Sequence, residues 1–162
     1  MNQILEILEK DARVTPEEIG KMLKMKPEKV KKAIKKMEKD GIILKYKTVI
    51  NKELIKDEGD GGVLALIEVK IVPEKNLGFD HLAERIYMFP EVASCYLMSG
   101  TYDLLVMVQG KNLHEVASFV SEKLAPMDKV QGTVTHFILK KYKEDGDVLK
   151  RVRKSKRPAI SL

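Results

Sequence analysis

The chain has 162 residues, 44% apolar and 33% charged, enough for one medium domain or two small ones but for no large core in either half. No uncharged apolar run approaches the ~18–20 residues of a membrane span, the N-terminus lacks a basic leader, and the lone Cys95 excludes a disulfide framework, so a soluble cytoplasmic protein is expected. The net charge of +6 divides as +6 over residues 1–56, −6 over 57–147 and +6 over 148–162, a pattern that suggests a nucleic-acid module joined to an acidic body.

Ile4, Leu5, Ile7 and Leu8 make one apolar stripe and predict a first helix that ends near Asp11-Ala12-Arg13. Thr15-Pro16-Glu17-Glu18 is a start signal: Thr15 caps, Pro16 fits the first helical position, and Glu18 reaches back to close a capping box. The short second helix then offers Ile19, Met22 and Leu23 to the core. Pro27 opens a third helix whose Val30, Ala33, Ile34 and Met37 fall on one face, and Asp40-Gly41 stops it. Residues 42–50 read as a short β-ribbon with Lys45 and Lys47 around Tyr46.

Only Lys24-Met25-Lys26 separates the second and third helices, the arrangement of a helix-turn-helix whose second helix enters a major groove. The candidate contacts to double-stranded DNA are Lys26, Glu28, Lys29, Lys31, Lys32, Lys35 and Lys36 on or beside that helix, with Lys45 and Lys47 on the ribbon. Burying so many ammonium groups unpaired would cost several kcal/mol each, whereas phosphate contact gives them a reason to gather. An ordinary solvated helix face is the plainer alternative. Lysine also lacks the forked donors of arginine and the paired groups of Asn and Gln that read bases, so specificity is expected to be modest or to lean on DNA shape.

Lys56-Asp57-Glu58-Gly59-Asp60-Gly61-Gly62 cannot build a core and marks a linker at residues 57–62; it lacks the spacing of a calcium loop. Beyond it, residues 63–72 form a near-continuous apolar strand ended by Pro73. Phe79, Leu82, Ala83 and Ile86 give a helix stopped at Phe89-Pro90. Strands are expected over 92–98 and 103–108, a second helix through Leu113, Val116, Ala117, Val120 and Leu124 before Pro126, and a last strand over 133–142. The order βαββαβ is that of a ferredoxin-like sandwich, with both helices on one face of an antiparallel sheet. The other face then needs a cover, and the simplest is a second copy across a two-fold axis. The fold class is therefore α+β: a winged helix-turn-helix at 1–56, a linker at 57–62, a βαββαβ domain at 63–143 and a basic tail at 144–162.

In that order these elements resemble the Lrp/AsnC (feast/famine) transcriptional regulators. The resemblance rests on Met37-Glu38-Lys39-Asp40-Gly41-Ile42-Ile43, Phe89-Pro90-Glu91-Val92, Ser99-Gly100-Thr101-Tyr102-Asp103-Leu104-Leu105-Val106 and Thr133-Val134-Thr135-His136-Phe137-Ile138-Leu139-Lys140, and it covers about residues 1–143. It implies homodimers built on the sheet domains, often assembled into octamers, and a small effector, usually an amino acid, bound between subunits near the Ser-Gly-Thr-Tyr-Asp turn. It points to Gly100, Tyr102, Asp103 and the facing Thr133 and Thr135. Two departures stand out. Lys26 replaces the Ser or Thr that usually caps the recognition helix, and the chain runs on past Tyr142.

On physical grounds residues 99–103 (Ser99, Gly100, Thr101, Tyr102, Asp103) suit a zwitterion: amides beside Gly100 face a carboxylate while Asp103 receives an ammonium. A simple turn, with Asp103 bonded to backbone, is the alternative. His81, His114 and His136 are too scattered for a metal site, no nucleotide-binding or Ser-His-Asp pattern is present, and Cys95 reads as core, so neither catalysis nor a cofactor is expected. A DNA-coating protein with little sequence preference remains an alternative function. So does a sirohaem decarboxylase of similar architecture, although the sheet domain offers only three scattered histidines and Arg85 for haem. The tail run from Lys150 to Pro158 is either a solvated end or a further anchor on DNA.

Overall fold

In the computed structural model, the residues described are 2–51, 54–55, 62–73 and 78–149. The linker expected at 57–62, Gly62 apart, and the basic run from residue 150 onward lie outside them. The chain divides into two compact units, Met1–Ile50 and Asn51–Leu162.

In the first unit, α1 spans Gln3–Lys10, α2 Pro16–Leu23 and α3 Pro27–Lys39. The capping box forms as the sequence dictates: the Thr15 hydroxyl accepts from the Glu18 amide at 3.3 Å and the Glu18 carboxylate accepts from the Thr15 amide at 2.8 Å. Those Thr15 bonds, backbone first, hold the Glu18 carboxyl below its ordinary range, so their stabilising contribution is present above that range and is lost as pH falls through the lowered value. Ile4, Ile19, Val30 and Met37 form the buried core, with Leu5, Leu23, Ala33 and Ile34 packed around it. Met22, expected inside, is 62% exposed: α2 has only two turns, and Ile19, Gly20 and Leu23 already occupy its inner face.

Gly20 carries a signal that the apolar pattern does not. A Cβ there would stand 2.8 Å from the Met25 carbonyl oxygen, because the turn folds back over α2 and the Met25 amide donates to the Gly20 oxygen at 2.8 Å. Lys24 adopts the left-handed conformation (φ 53°) that completes this reversal. Helix propensity alone says that Gly20→Ala gains ~1 kcal/mol, but the backbone clash opposes it and has nowhere to relax. The variant is expected to lose ~1–3 kcal/mol of stability in a circular-dichroism melt; a raised melting temperature would show propensity to be the larger effect.

The β-ribbon expected over residues 42–50 is not formed: none of these residues lies in a strand. A strand needs a neighbour, and the three-helix unit supplies none. The segment is held at its start, where the Ile42 and Ile43 amides donate to the Met37 oxygen, and by the Tyr46 hydroxyl, which donates to the Glu38 carboxylate at 2.9 Å. Leu44, between these two anchors, is 87% exposed.

The second unit holds a four-stranded antiparallel sheet in the order β2-β3-β1-β4, with β1 at Val63–Ile71, β2 at Val92–Leu97, β3 at Leu104–Gly110 and β4 at Val130–Phe137. β4 thus begins and ends earlier than its alternation predicts, though the Ile138 amide still bonds to the Leu64 oxygen. The helices α4 (Asp80–Tyr87) and α5 (Leu113–Ser118) cover one face. There Ala65, Ile67 and Val69 of β1 meet Leu82 and Ile86 of α4, Val116 of α5, and Phe119 and Leu124 beyond it.

The residues after α5 do not continue as an α-helix. Phe119–Leu124 wind as a π-helix, with the Ala125 amide donating to the Val120 oxygen five residues back at 2.8 Å. This winding turns Phe119 and Leu124 inward together. Leu113 and Ala117, which the expected α-helix would face inward, are left exposed. Phe119 packs edge-on against Phe89 with centroids 5.5 Å apart.

Residues 143–148, at the expected junction of the sheet domain and the basic tail, form a hairpin: β5 (Lys143–Glu144) pairs with β6 (Asp147–Val148) through Asp145-Gly146. Both loop residues have positive φ, 45° and 92°, the geometry that Asp-Gly favours in a two-residue hairpin.

Candidate nucleic-acid interface and effector turn

α3 rises ~20 Å over its 13 residues and presents Lys29, Lys31, Lys32, Lys35 and Lys36 to solvent around a stripe whose inner members are Val30 and Met37. Among the described residues no ion pair neutralises any of these five lysines. Lys26 is the N-cap and makes no side-chain cap bond, as the absence of a Ser or Thr hydroxyl there requires; Glu28 sits in the first turn, where a negative charge suits the helix dipole. Lys45 and Lys47 are exposed on the segment after α3. Burial, followed by the bond to Glu38, raises the Tyr46 hydroxyl pKa and keeps that side chain protonated beside them.

In the second unit, residues 99–103 join β2 to β3 at the end of the sheet where β1 stops and β4 starts. A Cβ at Gly100 would meet open space, so the turn is accessible from outside. Asp103 is already engaged: its Oδ2 accepts from the Ile71 amide at 2.8 Å, and its own amide donates to the Val69 oxygen at 3.1 Å. The side chain thereby extends the β1–β3 pairing past Val69, at the residue where the β1–β4 register shifts, and no bond to its Oδ1 is seen among the described residues.

Thr133 lies opposite Val69, so β1 separates it from the turn by two strand spacings, ~10 Å. Thr135, opposite Ile67, lies a further ~7 Å along the sheet. The turn and Thr133 are thus brought to one sheet end, while Thr135 stands back from it. Removing the acceptor in Asp103→Ala leaves the Ile71 amide unpaired and is expected to cost ~1–3 kcal/mol of stability. Asp103→Asn keeps an acceptor and is expected to fold normally, while weakening any ammonium ligand tenfold or more, about the worth of one charged hydrogen bond. Calorimetry that finds the Asp103→Asn variant binding such a ligand as tightly as the parent chain would remove Asp103 from the site.

Elsewhere in this unit, Glu91 and Lys123 form a close ion pair, with Lys123 Nζ 5.7 Å from the centre of the Phe89 ring. The pairing with Lys123 holds the Glu91 carboxyl below its ordinary range. The Phe-Pro-Glu-Val stretch is therefore a clamp between α4, β2 and the π-helix. An open groove of about 700 Å³ lies over it, lined by Arg85, Met88, Phe89 and Lys123 among others, and none of residues 99–103 takes part in it. His81, His114 and His136 sit on α4, α5 and β4, and no described group of three His, Cys, Asp or Glu side chains is placed to hold a metal. Cys95 is half-buried against the core, which pushes its thiol pKa up. No described helix is long and apolar enough to cross a membrane.

A winged helix-turn-helix DNA-binding profile matches residues 2–43, and an Lrp/AsnC ligand binding domain profile matches residues 64–148. The chain belongs to the Lrp/AsnC family. It is a transcriptional regulator of that family, with a DNA-binding unit followed by a ligand-binding domain. The uncharacterized HTH-type transcriptional regulator YugG of Bacillus subtilis strain 168 is 47% identical over 159 residues, 98% of this chain and 95% of that protein. The HTH-type transcriptional regulator FL11 of Pyrococcus furiosus is 30% identical over 142 residues, 88% of this chain and 89% of its own. Among solved structures, the Neisseria meningitidis transcriptional regulator NMB0573 in complex with L-Met superposes with a TM-score of 0.67 at 26% identity, covering 87% of this chain and 88% of that one. At that coverage, each of these relatives is matched across both units.

Proposed function

We propose that this chain is a cytoplasmic, sequence-specific DNA-binding transcriptional regulator whose DNA affinity or assembly is set by a small effector, an amino acid, bound at the turn of residues 99–103. The observation that carries the DNA half is the set of five uncompensated lysines on α3, a helix aimed by a three-residue turn. Lys26, Glu28, Lys29, Lys31, Lys32, Lys35 and Lys36, with Lys45 and Lys47, form the contact set, and phosphate is the partner that gives this charge a function. The effector half rests on the ligand-binding family of the second unit and on the L-Met complex of the Neisseria relative. In this reading Ser99, Gly100, Thr101 and Tyr102 supply amides and hydroxyls to the ligand carboxylate, Asp103 Oδ1 receives its ammonium, and Thr133 stands on the far side, with Thr135 set back behind it along β4.

The turn is open to solvent in a single chain, so a neighbouring subunit is needed to close it. The sheet face away from the helices supports that assembly. By register it carries Leu64, Leu66, Leu105, Met107 and Val134, half-buried or exposed, with the Glu68–His136 pair at 3.2 Å among them. A homodimer sandwiching two such faces, with dimers gathering into an octamer, covers this surface and brings two recognition helices to half-sites ~34 Å or a multiple apart.

One observation favours a second reading. α3 exposes lysine but no Arg, Asn or Gln, so an architectural protein coating DNA with little preference is the competitor. Selection of bound fragments from random DNA, with and without each of the twenty amino acids, tests both. A recovered motif that exceeds random DNA by ~10³ or more, and shifts with one amino acid, supports the regulator. Fragments with no shared motif support the coating protein, and no heat from any amino acid in calorimetry removes the effector.

A further inference from the structure

We propose that Glu28 reads a base: its carboxylate accepts a hydrogen bond from the N4 amino group of a cytosine in the major groove. This one side chain then supplies sequence preference to a helix otherwise built for phosphate. The inference rests on the reading that α3 enters duplex DNA, and it deepens that reading by assigning the specificity.

α3 carries two glutamates that differ in what engages them. The Glu38 carboxylate accepts from the Tyr46 hydroxyl at 2.9 Å. Glu28 is exposed, and nothing pairs with its carboxylate among the described residues, although Lys31 and Lys32 stand three and four residues further on, where such pairs commonly close. At ~100° per residue, Glu28 and Lys32 lie on the opposite side of the helix from the buried Val30, and Lys35 and Lys39 continue their row. Glu28 therefore leads the outermost row of α3, in the first turn, and the first turn of a recognition helix is the part that meets base edges.

That turn is also firmly set. Pro27 occupies the first helical position, and the Lys29 and Val30 amides donate to the Lys26 oxygen at 2.9 and 3.3 Å. A Cβ on Gly20 would stand 3.5 Å from the Pro27 Cα, so the start of α3 packs backbone to backbone on α2. A base contact needs such a fixed origin.

The lysines of α3 can meet phosphate or the acceptor edge of guanine with the same group. Glu28 can meet neither: a carboxylate only accepts, and phosphates repel it. Among the base edges in the major groove, cytosine offers the N4 donor without a neighbouring acceptor, whereas the adenine N6 donor lies beside the N7 acceptor. A carboxylate in the first turn also suits the helix dipole, but that role makes no distinction between DNA sequences.

The test selects bound duplexes from random sequence with the full chain and with its Glu28→Ala and Glu28→Gln variants, then measures affinities by fluorescence anisotropy at ~0.1 M salt. Circular dichroism confirms that the variants fold. The parent is expected to select a shared C·G pair, and thymine in place of that cytosine, which puts an acceptor where the donor stood, is expected to weaken binding about 5- to 100-fold. Glu28→Ala is expected to lose this discrimination while binding random duplex up to about eightfold tighter, because one like charge leaves the phosphate surface. Glu28→Gln is expected to move the choice toward adenine, whose N6 and N7 suit a carboxamide. A Glu28→Ala variant that keeps the thymine penalty, with affinity raised alike on every duplex, overturns the inference and leaves phosphate binding by α3 standing. A parent that selects no shared C·G pair overturns it in the same way, since no cytosine is then being read. A parent that ignores duplex DNA even at 50 mM KCl overturns both readings at once.

Discussion

Reversing three charges on α3, in the combined variant Lys31→Glu, Lys32→Glu and Lys35→Glu, is expected to weaken duplex binding several-hundred-fold at ~0.1 M salt. Each lost phosphate contact removes ~0.9 from the salt slope, which at this concentration is a factor of about eight, and three of them multiply to about five hundred. Repulsion between the new carboxylates and the backbone adds to this. The fold is expected to survive: all three side chains are exposed, none is in an ion pair among the described residues, and glutamate is as good a helix former as lysine. Fluorescence anisotropy across a salt series, with circular dichroism as the control for folding, reads both effects. An unchanged slope in a folded variant would make the lysines an ordinary solvated face and remove the basis for DNA binding through this helix.

If the proposed sheet-to-sheet dimer forms, placing carboxylates on the uncovered sheet face in Leu66→Asp with Met107→Asp is expected to give monomers. These residues lie directly opposite each other in the β1–β3 ladder, on the face that the helices leave open. A two-fold interface counts each change twice, so four unpaired carboxylates would have to lose water, at several kcal/mol apiece. The dimer dissociation constant is expected to rise by a factor of ~10⁴ or more, enough to appear in sedimentation at micromolar concentration. Both positions are only half-buried in the single chain, so the sandwich itself is expected to remain folded. A variant that still dimerises would move the interface elsewhere, with no consequence for the chemistry of α3. The Glu68–His136 pair, 3.2 Å apart across β1 and β4, already places polar groups on this face.

Much of this architecture is legible in the amino-acid sequence itself. Thr15, Pro16 and Glu18 specify the start of α2 by satisfying amides that would otherwise be unpaired, and Gly41, at φ 71°, closes α3 where a side chain would be strained. The switch from helical to near-continuous apolar spacing after Gly62 determined the βαββαβ order, because the two periodicities bury different residues. The charge split along the chain and the lysines of α3 were likewise set by sequence, since exposed charge needs no tertiary partner to be placed.

What the linear pattern left undecided always depended on a neighbour distant in sequence. Residues 42–50 have the composition of a strand but no strand to pair with in their own unit. The π-helix arises because Phe119 must meet Phe89 while Leu124 stays in the core, a requirement invisible to a 3.6-residue count. Gly20 looks like a weak point in a helix until the Met25 carbonyl is seen against it. Asp103 was a candidate for an ammonium from its position in a turn, yet only the packed sheet revealed that one of its oxygens already completes the backbone ladder at Ile71. Sequence alone determined where this chain carries charge and which residues avoid water; the tertiary structure decided which polar atoms remained available, because a hydrogen bond across a sheet is made by geometry that no single segment contains.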